Sequence, residues 1–172
     1  MKNRRVALCK ILLVGLLMFG CSTDNGSSCP EPFTGALSFE ENAFSGTYVL
    51  TDIVSENPKD LTNDGIDNAS TEIFAQLPDC KKDVDYEFRA DRTFTVRQEY
   101  NAENCTNKLS LDGTWKYTLG QLSLINECLL QTVEIEVNND YTEFTISDIY
   151  TFNESTGAIS QSRVTLTYTK SL

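Results

Sequence analysis

The chain has 172 residues, 40% of them apolar, with 14 lysines and arginines against 25 aspartates and glutamates, and no histidine. That length suits one ordinary domain or at most two very small ones. The lack of imidazole excludes Ser-His-Asp and Cys-His catalysis and every histidine-dependent metal site, and the acidic balance argues against a nucleic-acid partner, because phosphate binding needs clustered Lys and Arg.

Residues 1–21 read MKNRRVALCKILLVGLLMFGC. Lys2, Arg4, Arg5 and Lys10 form a positive n-region, and Ile11 to Phe19 form an apolar run too short to span a bilayer but suited to a signal peptide. The segment ends Met18-Phe19-Gly20-Cys21, which resembles a bacterial lipobox, so residues 1–20 are expected to be removed and Cys21 acylated. Several acyl chains on one cysteine make a lasting anchor, at roughly 0.8 kcal/mol per buried methylene. Loss of residues 1–20 leaves 10 basic against 25 acidic side chains, a net charge of −15. Such a body is repelled by anionic lipid, so the lipid tail and not the protein surface should hold it at the membrane. Ser22 after the cysteine, where an Asp would signal inner-membrane retention, favours the outer membrane. Residues 21–42 are rich in small polar residues and read as a flexible tether.

From residue 43 the dominant period is two. The first strand is expected at 46–55. The 56–83 connection breaks the pattern: Ile73, Phe74 and Leu77 are spaced for a short helix over 69–77, capped by Asn68 or Ser70 and ended by Pro78. Seven further strands follow at 84–89, 93–100, 111–118, 121–126, 130–137, 142–151 and 160–169, joined by short turns such as the one at Asp91. One apolar and one polar face, repeated eight times, suit an all-β, eight-stranded antiparallel barrel with a short helix between its first two strands. A monomer is expected.

Of six cysteines, Cys9 leaves with the signal and Cys21 with the lipid. Cys29, Cys80, Cys105 and Cys128 remain for an oxidising compartment, without the Cys-x-x-Cys spacing of zinc or redox sites. A hairpin turning near Asp91 sets position 80 opposite about 102, so Cys80–Cys105 is the favoured disulfide; Cys29–Cys128 then follows, among the three pairings four cysteines allow.

Taken together, the chain resembles the lipocalin-like lipoproteins of Gram-negative bacteria. The residues that carry this are the lipobox, Ser45-Gly46-Thr47-Tyr48, Asp79-Cys80-Lys81-Lys82-Asp83, Tyr86-Glu87-Phe88, Gly113-Thr114-Trp115, Leu122-Ser123-Leu124 and Leu166-Thr167-Tyr168. The resemblance covers about residues 43–170. Lipocalins carry Gly-x-Trp on the first strand, where this chain has Gly46-Thr47-Tyr48. The family implies a small apolar ligand or another binding role, without catalysis.

By alternation, Tyr48, Tyr86, Phe88, Phe94, Trp115, Tyr117, Phe144 and Tyr168 point inward. They either line a site for a small hydrophobic or amphipathic molecule or fill a closed core, which would leave an interaction module that meets envelope protein or glycan through its surface. A second candidate is calcium. Calcium loops offer oxygens at positions 1, 3, 5, 7, 9 and 12 with glycine at 6; started at Asp60, those places include Asp60, Asp64 and Asn68, with Gly65 correctly set. Asn, Asp and Gly are equally favoured there as turn formers. Paired carboxylates exist at Glu134 with Glu136 and at Glu87 with Glu99, but the first two lie on the polar side of their strand, and no Ser or Cys has a base beside it. An enzyme is not expected.

Overall fold

The computed structural model describes residues 28–62 and 64–171. The expected signal peptide and the lipidation candidate Cys21 lie outside the described residues. The strands are β1 (Gly46–Lys59), β2 (Ser70–Glu72), β3 (Val84–Phe88), β4 (Thr93–Gln98), β5 (Leu109–Thr118), β6 (Gln121–Asn126), β7 (Leu129–Glu134), β8 (Glu136–Val137), β9 (Glu143–Asn153) and β10 (Ile159–Lys170). Among the described residues three short helices accompany them, α1 (Phe39–Phe44), α2 (Ile73–Gln76) and α3 (Asp79–Lys82).

All strand pairs are antiparallel, in the order β7-β6-β5-β4-β3-β1-β10-β9-β8, with β2 added on β1. The two ends of this series are consecutive in the chain. Only Ile135 separates β7 from β8, so the sheet curls into a nearly closed barrel of nine strands. The sequence counts 130–137 as one strand. The division arises because β7 pairs with β6, from Gln121↔Glu134 to Asn126↔Leu129, whereas Glu136 and Val137 pair with Thr145 and Phe144 of β9. A segment changing partners interrupts its ladder at the changeover, and there the Ile135 amide donates instead to the Gly120 carbonyl at 2.7 Å. Past Ile146, β9 pairs with β10 alone among the described residues, so β7 and the far half of β9 part in a wedge.

One end of the barrel is plugged. Residues 28–42, read from composition as part of a tether, instead lie against the barrel: the Phe33 amide donates to Thr114 Oγ1 on the outer face of β5, and α1 turns inward at the end where β5 and β6 meet. The helix is short, so its start must be well capped. The Ser38 hydroxyl accepts from the Glu41 amide, and the Glu41 carboxylate accepts from the Ser38 amide, a complete capping box. Composition hid this, because the fully buried anchor, Phe44, falls just outside the polar stretch, and within it only the isolated Leu37 packs against the core.

The 56–83 connection differs from the expected helix over 69–77. Residues 70–72 form β2, with Val54↔Glu72 and Lys59↔Ser70, and only 73–76 are helical. Neither Asn68 nor Ser70 caps that helix; position Glu72 does, without a side-chain bond. β1 runs on to Lys59 and offers a free edge, which outcompetes one more turn of helix. At the β5–β6 turn, Leu119 (φ 50°) and Gly120 (φ 79°) adopt left-handed conformations that match the strand twist. Leu119, which alternation puts on the inner face, is 96% exposed at its tip.

Candidate functional site

The aromatic residues expected to point inward do so, but they meet one another more than they line a space. Tyr48, Phe88, Trp115 and Phe144 are at most 1% exposed. Phe44 sits among them, its ring 5.1 Å from Phe88, 5.2 Å from Tyr48, 5.6 Å from Phe144, 5.9 Å from Trp115 and 5.0 Å from Tyr117. Tyr168 stacks on Phe144 at 4.8 Å. Rings at these spacings hold one another through dispersion and quadrupole contacts and leave no room for a guest. The half of the barrel nearest α1 is therefore filled. Sequence reasoning missed Phe44, which strand alternation cannot reach.

The plug is locked by charge. Glu41 and Arg92, 2% and 7% exposed, form a two-pronged ion pair. Arg92, at the β3–β4 turn, also donates to the Gly35 and Ala36 carbonyls at 3.0 and 2.9 Å, binding the strap ahead of α1. Burial pushes the Glu41 carboxyl up, but the Arg92 guanidinium and the Ser38 and Tyr117 amides outweigh it and hold it down at about 2.

At the opposite end, the rim, the interior is open. An apolar cavity of about 140 Å³ lies between β3–β7 and β9. Of the expected ligand residues, Tyr86 and Phe94 line it. The others are Val96, Leu111, Leu122, Leu124, Leu129, Val133 and Ile146, with Asn126 and Gln131 as the polar members. It exists because Leu129, Gln131 and Val133 of β7 alternate inward beside the wedge, where β9 gives no paired neighbour. The Tyr86 ring meets Tyr168 edge-on at 5.2 Å beneath it, and burial pushes the Tyr86 hydroxyl up to about 12. Beyond these two, Tyr150 lies close enough to raise both their hydroxyls further. Alternation along β9 reaches Tyr150 only by passing the exposed Asp148, which hid it. Tyr117 lies on a different space, an open groove of about 400 Å³ beside α1 with Leu119 and Tyr141.

Both disulfides of the barrel are those expected, and both staple the rim. Cys80–Cys105 ties α3 to the β4–β5 loop, and Cys29–Cys128 ties the start of the strap to the β6–β7 turn. Glu99 lies beside Cys80 and Cys105, but these thiols are spent on each other.

In the candidate calcium loop the oxygens are occupied locally. Asp60 accepts from the Thr62 amide and hydroxyl and from the Ser155 hydroxyl, Asp64 accepts from the Ile66 amide and the Asn68 amide group, and Asn68 accepts from Thr62. Such bonds make turns. The carboxylates considered for catalysis are neutralised or solvated: Glu87 meets Arg89 and Arg97, Glu99 meets Lys81, and Glu134 and Glu136 are exposed.

The chain belongs to the family described as a domain of unknown function (DUF5004), whose model matches residues 22–171. Among curated proteins, none matches the chain.

Proposed function

We propose that this is a lipocalin-like envelope lipoprotein, held in the outer membrane through Cys21, that binds the apolar end of a small amphipathic molecule at the rim of its barrel and catalyses nothing. The short break between β7 and β8, a single residue at Ile135, supports reading the two as one bent strand of an eight-stranded architecture. The observation that carries the reading is the rim cavity, lined by aliphatic and aromatic side chains with Asn126 and Gln131 as the two amides. Its volume suits a benzene-sized group or a short stretch of acyl chain. It is smaller than the roughly 300–1,000 Å³ of sites that enclose a whole drug-sized ligand. One apolar end enters, therefore, while the polar remainder stays at the mouth. The Asn126 side chain is engaged with the Asp112 carbonyl at 2.5 Å, which leaves Gln131 as the group best placed to meet a ligand hydroxyl or carbonyl.

A second reading, a packed module that meets protein or glycan, draws its support from the filled aromatic half. Titration with an environment-sensitive naphthalene dye separates the two. Saturable enhancement in the native protein, lost in Leu124→Phe and Val133→Phe variants of undiminished stability, supports the cavity. No enhancement, or equal enhancement in the filled variants, overturns it. Anchoring is tested by Cys21→Ser, which releases the protein from membranes.

A further inference from the structure

The strap runs the length of the barrel outside β5. Its end at α1 is fixed by Arg92, its middle by Thr114 and its beginning, at the rim, by the Cys29–Cys128 disulfide. The Cα atoms of Cys29 and Cys128 are 4.5 Å apart. Cys21 is eight residues earlier in the chain, and eight residues reach at most about 28 Å when fully extended. The plugged end lies roughly 25–30 Å from the rim along the axis of a tilted barrel, so plug-down anchoring would need those eight residues at nearly full stretch, whereas rim-down anchoring needs none.

The rim also carries the apolar side chains a surface contact needs. Tyr100, Leu109, Leu111, Leu129 and Leu130 are each 40–56% exposed. Leu111 and Leu129 form the mouth of the cavity itself. Leu109 follows the same face of β5, Leu130 adjoins Leu129, and Tyr100 lies in the β4–β5 loop beneath the Lys108 ammonium. Their partner is not anionic: the mature chain carries a net −15, which disfavours approach to acidic headgroups.

We infer that the barrel stands rim-down on the bilayer that holds its acyl chains, with Leu109, Leu111, Leu129 and Leu130 against a zwitterionic lipid surface, so that a guest passes between bilayer and cavity without crossing bulk water. This rests on acylation at Cys21, and the Cys29–Cys128 disulfide is what turns a tether into an orientation. Anchored through that disulfide, the molecule can lay its rim on the membrane at once, whereas Phe39 and Leu119 at the plugged end face away.

The test uses the acylated full chain in phosphatidylcholine vesicles with brominated acyl chains, which quench indoles that touch them. Two single variants are compared, Leu130→Trp at the rim and Phe39→Trp on α1, both at exposed positions that tolerate the larger ring. Trp115 is fully buried and gives both the same background. The rim indole is expected to lose at least about half its emission, as a side chain seated at the headgroup–acyl boundary does, and the α1 indole almost none. Flotation of the same vesicles reports anchoring separately. Floating protein with Leu130→Trp unquenched, or with Phe39→Trp the more quenched, overturns the orientation and leaves the anchor standing. Protein that fails to float overturns the anchor and the orientation with it.

Discussion

The Glu41 carboxylate and the Arg92 guanidinium meet fork to fork, with two N–H···O contacts of 2.7 Å in the buried end of the barrel. A plug helix of six residues has little stability of its own, since isolated helices shorter than about 12–15 residues are marginal. The pair, the capping box and the Phe44 ring are what seat it.

Removal of one partner leaves the other charge buried. Glu41→Gln is expected to lower the unfolding free energy by about 3–5 kcal/mol, whereas replacing both by apolar residues of similar size, Glu41→Leu with Arg92→Met, recovers part of that loss. Urea unfolding measures both. A loss under about 1 kcal/mol would place the pair with exposed ones.

Acid should act through the same carboxyl. It titrates near 2 in the folded state against an ordinary 4.5. A depressed folded value means that its contribution is complete above about 4.5 and vanishes as the pH falls toward 2. That contribution amounts to about 3 kcal/mol. Stability measured across that window falls less steeply in Glu41→Gln than in the native protein. Equal slopes would show that Glu41 is not held down.

The disulfides close loops of different length, with sequence separations of 25 for Cys80–Cys105 and 99 for Cys29–Cys128. On chain entropy alone they stabilise by about 3.5 and about 4.7 kcal/mol. Paired Cys→Ser variants, compared by thermal unfolding, should therefore rank Cys29–Cys128 as the more costly loss. The reverse order would mean that the strap is already held by Arg92 and Thr114.

Gly113 faces inward beneath Trp115 on β5. A Cβ there would lie 2.0 Å from the Ile125 carbonyl oxygen and 2.8 Å from the Phe94 ring. Because the first of these is backbone, β5 and β6 must part, and Gly113→Ala is expected to cost about 1–3 kcal/mol. A variant as stable as the native protein would contradict this packing.

Period-two alternation was legible wherever one face was uniformly apolar. Val84–Phe88, Phe94–Val96 and Trp115–Tyr117 all lie where alternation puts them, and the hairpin at Asp91 led to the correct disulfides. What alternation could not show was long-range. Before Phe44, Ser38-Phe39-Glu40-Glu41 carries the capping-box signature of a helix start, but it does not announce that the helix plugs a barrel, since its partner Arg92 is far along the chain. Nor does the run Val133-Glu134-Ile135-Glu136-Val137 announce that its pairing changes midway, because both halves alternate alike. The inward aromatics were foreseen, but whether rings line a space or fill it depends on Phe44 and on the wedge beside β7. Both follow from tertiary packing, not from periodicity.

The central claim is that a guest enters at the rim and not at the plugged end. Methyl-resolved NMR during titration with a short-chain alcohol or fatty acid below its micelle concentration tests it most directly. Saturable shifts confined to the methyl groups that line the cavity, Val96, Leu111, Leu122, Leu124, Leu129, Val133 and Ile146, are the result predicted here. Shifts centred on Leu119 in the groove beside α1, or none that saturate at the cavity, would contradict it.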